Sequence, residues 1–278
     1  MEDKTIKRTV LDYGDLSTLL PILKGKEKLV NRLIKFLSLD KVNWLHDHNC
    51  DTPGAPFVEG LLTDLDIKVR VDNEEILDKI KDIPFITVSN HPFGALDGII
   101  LIHLLASKNP NFKVMVNMVL NYISAMQPNF IAVDPLASND PAKKIATMRG
   151  IREAMLHVKN GNPIGFFPAG AVSKITTGLR IQDRKWQPTI IRLIQQLDVP
   201  VVPIYFHGHN STWFNILGMI SWKLRTLRLP AEVFRKKGKT FHVSVGEPIS
   251  PEEQAKFSSV EDLGAFLKER TYSMRKWK

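Results

Sequence analysis

From Leu61 to the C-terminus, short β-branched runs alternate with longer segments of helical period, and that alternation restricts the fold more than any other feature. Leu65–Val71 has the two-residue period of a half-exposed strand. Pro84–Ser89, Phe112–Leu120, Phe130–Val133, 163–167, Val199–Phe206 and Thr240–Val245 also read as strands. Between them, 97–108, Pro141–Lys159 and Gln187–Leu197 read as helices, and a charged helix follows from Val260. Pro141–Lys159 carries its own punctuation: Asp140 as cap, Pro141 at the first position and Gly161 beyond the end. Ser250-Pro-Glu-Glu253 is a capping box. Such alternation predicts an α/β domain over 51–278, with a mostly parallel central sheet flanked by helices. Residues 1–50 form a separate zone, an N-terminal helical segment. Within it Leu29, Leu33 and Phe36 share one helix face, which suits a cap on the site, a membrane contact or plain packing on the core.

Composition sets the outer limits. A 278-residue chain that is 44% apolar can build one substantial core. The single cysteine, Cys50, excludes an internal disulfide. No apolar run approaches the roughly 20 residues that cross a bilayer, and Met1–Arg8 does not start a secretory signal. The expected location is cytoplasmic, peripheral on the inner face of the cell membrane. His46, His48 and Cys50 lack a second ligand cluster at a familiar spacing, and His207 and His209 sit beside Gly208 and Asn210, so no metal is expected.

The net charge of +9 is concentrated in residues 211–239. Trp213, Leu217, Ile220, Leu224 and Leu227 recur at helical spacing, with Phe214 and Trp222 beside them. Lys223, Arg225, Arg228, Arg235, Lys236, Lys237 and Lys239 follow, opposed only by Glu232. An apolar stripe bordered by cations suits an anionic membrane surface, where each cation contributes about 1 kcal/mol. It also suits an acidic carrier protein drawn in by steering, or a core-packed helix followed by a solvated loop. With no nucleic-acid-binding motif, and aromatics that lie with aliphatics, nucleic acid is not an expected partner.

The chemistry concentrates in Val88–Gly98. His91 leaves the 84–89 strand, Pro92 keeps it extended, Gly94 permits a turn, and Asp97 falls where a helix begins. A carboxylate that fixes an imidazole's tautomer lets that ring take a proton from a hydroxyl. The same two residues fit a structural hydrogen bond, or an aspartate at a helix N-cap.

Asn90, His91 and Asp97 resemble the hallmark of the glycerophospholipid acyltransferase family. Asn129–Pro135, the third block Phe166-Phe-Pro-Ala-Gly-Ala-Val-Ser173 and the proline-bearing Val199–Ile204 resemble the family's further blocks, in order, over about 84–210. Five residues separate His91 from Asp97 where the family commonly has four, and Ala169 and Ala171-Val172 stand where glutamate and Thr-Arg are common. These departures, with Leu217–Pro230 and Lys236–Lys239, resemble a hemolysin-like bacterial branch that includes ornithine and glycine lipid O-acyltransferases.

The resemblance implies transfer of a fatty acyl group from a thioester, on acyl carrier protein or CoA, to a lysolipid hydroxyl. The implied pathway is ornithine or glycine lipid synthesis, with lysophosphatidate as the alternative acceptor. No cofactor beyond the thioester cosubstrate is implied. His91 and Asp97 take the catalytic roles, with Asn90, Gly94, Phe167, Pro168, Gly170, Ser173, Lys174 and Arg180 around the substrate. Without the block's arginine, a phosphate contact falls to Lys174 or Arg180 or is absent, and both also suit solvated loop charges. Amides near Gly170 suit an oxyanion, or the glycine serves only the turn. Trp213, Phe214, Trp222, Lys223, Arg225, Arg228, Lys236 and Lys237 are the expected membrane or carrier-protein contacts. A serine hydrolase would need a Gly-x-Ser-x-Gly elbow, which is absent. A non-catalytic membrane-surface binder is the remaining alternative.

Overall fold

The computed structural model describes residues 6–133, 141–176, 178 and 180–276. Its strands are β1 (Lys68–Asp72), β2 (Ile86–Ser89), β3 (Lys113–Asn117), β4 (Phe130–Val133), β5 (Ile164–Phe166), β6 (Lys174–Ile175), β7 (Ile181–Gln182), β8 (Val201–Phe206) and β9 (Thr240–Val245). Seven of them form one sheet in the order β1-β9-β8-β2-β5-β3-β4, and every neighbouring pair is parallel except β8 with β9. The expected mixed α/β architecture with a mostly parallel sheet is what the chain adopts.

Helices α1 (Tyr13–Leu19), α2 (Glu27–Phe36) and α3 (Leu39–Asn49) precede the sheet, and α4 (Ala55–Asp64) leads into it. One face of the sheet is covered by α4, α5 (Glu75–Ile80) and α6 (Ala95–Ala106), through Phe57, Leu61, Leu77 and the almost wholly buried α6. The other face is covered by α7 (Pro141–Lys159), α8 (Pro188–Leu197) and, near the C-terminus, Val260–Tyr272. Ala154, Ile191, Ile194, Leu263 and Leu267 make that second core layer. β2 is buried along its whole length because parallel partners flank it, with Thr87 opposite Gly165 on one side and Val202 on the other.

The connection from β2 runs to one face and that from β5 leads, through the β6–β7 hairpin, to the other. Adjacent parallel strands whose chains leave for opposite faces open a crevice at their carboxyl ends, which is where α/β sheets bind ligands. The His91 turn and the third block sit at that crevice.

Several boundaries differ from expectation. The Phe112–Leu120 run stops as a strand at Asn117, whose side chain accepts from the Val119 amide and starts a 3₁₀ turn over Met118–Tyr122. The β6–β7 hairpin and α5 are too short to leave a periodic signal. The Asp140 cap and the Asp134-Pro135 end of the second block lie outside the described residues.

The largest departure is 211–239. The helical period of Trp213–Leu227 is split between α9 (Thr212–Ile220) and α10 (Trp222–Leu227), and a third short helix, α11 (Leu229–Phe234), lies within the basic stretch that follows. Ser211 and Ser221 each cap a new start, which a continuous helix would not need. Two short helices follow β9, α12 (Pro251–Gln254) and, longer, α13 (Val260–Tyr272).

Among the described residues, no helix is long and apolar enough to cross a membrane. His46 and His48 are taken by the Arg8 carbonyl and the Asp64 carboxylate.

Candidate active site

Gly94 turns the chain after β2 at φ +84°, and a side chain there would strike Leu229. The turn starts α6 so that Asp97 faces back toward the strand. Asp97 Oδ2 accepts the Phe93 and Gly94 amides, each at 2.9 Å. His91 Nδ1 stands 2.9 Å from the same oxygen, although the approach is not aligned as a full hydrogen bond, and Asp97 Oδ1 has no partner. The carboxyl is fully buried. Burial pushes its pKa above the usual carboxylate range; His91 and the two amides pull the other way without overcoming it. The imidazole, by contrast, keeps a partly open edge. With Nδ1 on Asp97, its Nε2 is the nitrogen left for another group.

The ring lies 4.3 Å, centroid to centroid, from Phe167, and both line an apolar cavity of about 140 Å³. The cavity runs from Gly94 and Gly98 past Ile99, Met115, Leu120 and Phe130, with Gln187 at its wall. An imidazole–carboxylate pair beside an apolar cavity can take a proton from a hydroxyl on a chain held there.

Of the residues expected around the substrate, Gly94, Phe167 and Gly170 line the cavity with His91. Others do different work. Asn90 is buried and spends its carboxamide on the backbone of Phe206, donating to its carbonyl at 2.9 Å and accepting its amide at 2.7 Å. It fastens β2 to β8 and is not free for a ligand. Pro168 is buried, and its carbonyl accepts the Gln187 amide. Gly170 has φ +62°, but its N–H already donates to Phe167, so that amide is not an oxyanion donor. Ser173 Oγ donates to Asp183 at 2.6 Å. Lys174 is exposed on β6, and Arg180 is exposed beyond it; neither lines the cavity.

Asp183 is the residue that sequence reading missed. Buried and, among the described residues, without a cationic partner in hydrogen-bonding reach, its carboxylate accepts from Ser173 Oγ, from the His91 amide at 3.2 Å and from Trp186 Nε1 at 3.2 Å. The Ser173 amide in turn donates to the His91 carbonyl at 2.8 Å. The backbone of His91 is therefore held at its amide by Asp183 and at its carbonyl by Ser173 of the third block. No motif spacing marks Asp183, because two of its three partners, Ser173 and His91, lie 10 and 92 positions upstream.

The basic segment is also redistributed. Arg225 is 5% exposed, stacks over Phe214 and donates to the carbonyls of Val172 and Ser173, each at 3.2 Å. Lys236 is equally buried, over the Phe93 ring, with Asn210 and Glu232 as partners. Burial lowers the pKa of both cations. Phe214, Arg225 and Lys236 are thus brackets under the site, not outward contacts. Trp213, Trp222, Lys223 and Lys237 remain exposed, and Arg228 reaches across to Phe36 of α2.

The chain belongs to the acyltransferase family, whose model matches residues 29–277. It is 29% identical to the lyso-glycine lipid O-acyltransferase of Bacteroides thetaiotaomicron over 253 residues, 88% of this chain and 89% of that one. It is 26% identical to the lyso-glycine lipid O-acyltransferase of Phocaeicola vulgatus, covering 94% of each. The 1-acyl-sn-glycerophosphate acyltransferase PlsC of Thermotoga maritima overlays with a TM-score of 0.47 and 19% identity, covering 80% of this chain and 83% of that one. The protein is an enzyme that transfers acyl groups.

Proposed function

We propose that the protein is a lysolipid O-acyltransferase that moves a fatty acyl group from a thioester to the hydroxyl of a lyso-glycine lipid. The observation that carries this reading is the His91–Asp97 pair opening onto an apolar cavity. Two relatives bearing that acceptor's name support it along nearly the full chain. Ala171-Val172 in place of the Thr-Arg of the phospholipid enzymes favours an acceptor without phosphate.

His91 Nε2 takes the acceptor's hydroxyl proton as that oxygen attacks the thioester carbonyl. Asp97 holds the ring's tautomer and its developing charge. The tetrahedral intermediate then collapses, the C–S bond breaks, and the departing thiolate takes the proton back from the imidazolium and leaves as the thiol. No covalent acyl-enzyme forms. The Gln187 side chain packs against Gly170 at the cavity wall, and its carboxamide N–H is our candidate for stabilising the oxyanion. The cavity holds the proximal part of an acyl chain.

Access is from a membrane face built by Trp213, Ile220, Trp222 and Leu224 beside Lys223, continued by Phe36 through its contact with Arg228. The test offers lyso-glycine lipid, lyso-ornithine lipid and lysophosphatidate side by side with one labelled acyl donor. Preferential acylation of the glycine lipid is the expected result, and a preference for lysophosphatidate would reject the acceptor assignment.

A further inference from the structure

Behind the candidate site lies a second hollow of about 560 Å³, between the β6–β7 hairpin, residues 183–188 and α13. Four cations line it: Lys174, Arg184, Lys185 and Lys268. Among the described residues none of the four is in ion-pair contact with a carboxylate, whereas Lys7, Arg8, Lys108 and Lys276 elsewhere each have one. Asp183 forms part of the wall but commits its carboxylate to Ser173, His91 and Trp186. Glu261 stands exposed at the rim.

Lys268 is the most telling of the four. It is half-buried, and its Nζ donates to the carbonyls of Asp183 and Arg184. Burial depresses its pKa, so its charge is held there at a cost. Arg184 also repels the buried Arg225. Four cations against the two carboxylates of Asp183 and Glu261 leave a net positive potential in a concave site, and such a potential draws in an anion.

We propose that this groove binds the phosphoryl groups of the acyl donor, so that the donor's arm passes Asp183 and presents its thioester to His91. The inference rests on the thioester-dependent reading above. Phosphoryl oxygens are strong multiple acceptors for clustered Lys and Arg. The position fits as well: the residue that holds the His91 amide is also part of the groove's wall. Two donors carry this chemistry, CoA with its nucleotide phosphates and a carrier protein with its phosphopantetheine arm.

The experiment compares the full chain with Arg184→Glu/Lys185→Glu and with the charge-matched control Lys79→Glu/Lys81→Glu, whose exposed positions lie outside the groove. KM is measured for acyl-CoA, for acyl carrier protein and for the acceptor. Calorimetry with free CoA and with inorganic pyrophosphate reads binding without turnover. For the groove variant, donor KM should rise by roughly tenfold for each charge-assisted hydrogen bond to phosphate that is removed, while acceptor KM and the control stay within twofold. A rise confined to acyl-CoA assigns the groove to nucleotide phosphates; a rise for both assigns it to the shared phosphopantetheine. Unchanged donor KM with both donors, or a rise in acceptor KM instead, overturns the proposal while leaving acyl transfer standing. If neither donor supports transfer, yet pyrophosphate binding is present and is abolished in Arg184→Glu/Lys185→Glu, the anion groove survives and the thioester reading falls.

Discussion

The His91 turn and the 211–239 segment are both rich in chemistry-bearing side chains, yet they relate to their sequences in opposite ways. In the turn, the contacts that matter span three to six positions: Asp97 with the amides of Gly94 and Phe93, and with the ring of His91. In the basic segment, Arg225 acts 52 and 53 positions away, on the third block, and Lys236 acts 26 positions away, on Asn210. A local pattern can be read from spacing. A cation's destination depends on which surface the rest of the chain brings over it. Charge and periodicity marked the segment as amphipathic, but they did not say which of its cations would be buried.

The sharpest test of the turn is His91→Ala. The folded variant should lose about 10²–10⁴ in turnover, the usual contribution of a general base. Near wild-type acyl transfer by a folded variant would end the general-base reading.

For the bracket half of the basic segment, Arg225→Met should lower stability by about 2–4 kcal/mol, since it leaves two buried carbonyls without donors. Lys223→Met, on the exposed side of the same helix, should stay within about 0.5 kcal/mol. Denaturant melts read both, and equal losses would abolish the distinction between bracket and surface.

Asp97→Asn separates function from stability. Burial raises the Asp97 pKa, so the ionised carboxylate disfavours the folded state at neutral pH. The variant should turn over more slowly than wild type without melting earlier; a clear fall in melting temperature would show that the charge supports the fold.

Glu232 gives the acid limb. Burial works to raise it, but the Ser211 donors and the charges of Lys236 and Arg235 outweigh this and hold it below its ordinary 4.5. A depressed carboxylate contributes stability above its unfolded value, and that contribution is lost as pH falls through the folded value. Glu232→Gln should therefore flatten the acid side of a stability–pH curve measured from pH 7 to pH 3, a smaller effect than that of Arg225→Met.

The smallest expected effect concerns the outer face. Trp213→Ser/Trp222→Ser should weaken partition onto anionic vesicles by roughly tenfold, with melting temperature unchanged. Undiminished binding would move the membrane contact elsewhere.

Much of the fold was legible. The strands expected over Phe130–Val133 and Thr240–Val245 and the helix expected over Pro141–Lys159 have the observed limits. The site was legible where block residues also line the cavity, as Gly94, Phe167 and Gly170 do. It was misleading at Asn90, whose carboxamide is a sheet fastener, and silent at Asp183.

By itself the sequence determined an alternating α/β chain with an imidazole and a carboxylate at a strand's exit, because strand period, helix period and turn chemistry act over a few residues. The tertiary structure alone decided that Arg225 and Lys236 go inward, that Asp183 clamps the His91 peptide and that four cations ring a hollow behind it. Those outcomes depend on segments far apart in the chain meeting in space, as Lys236 meets the Phe93 ring and Asp183 the His91 amide, and no local propensity encodes such a meeting.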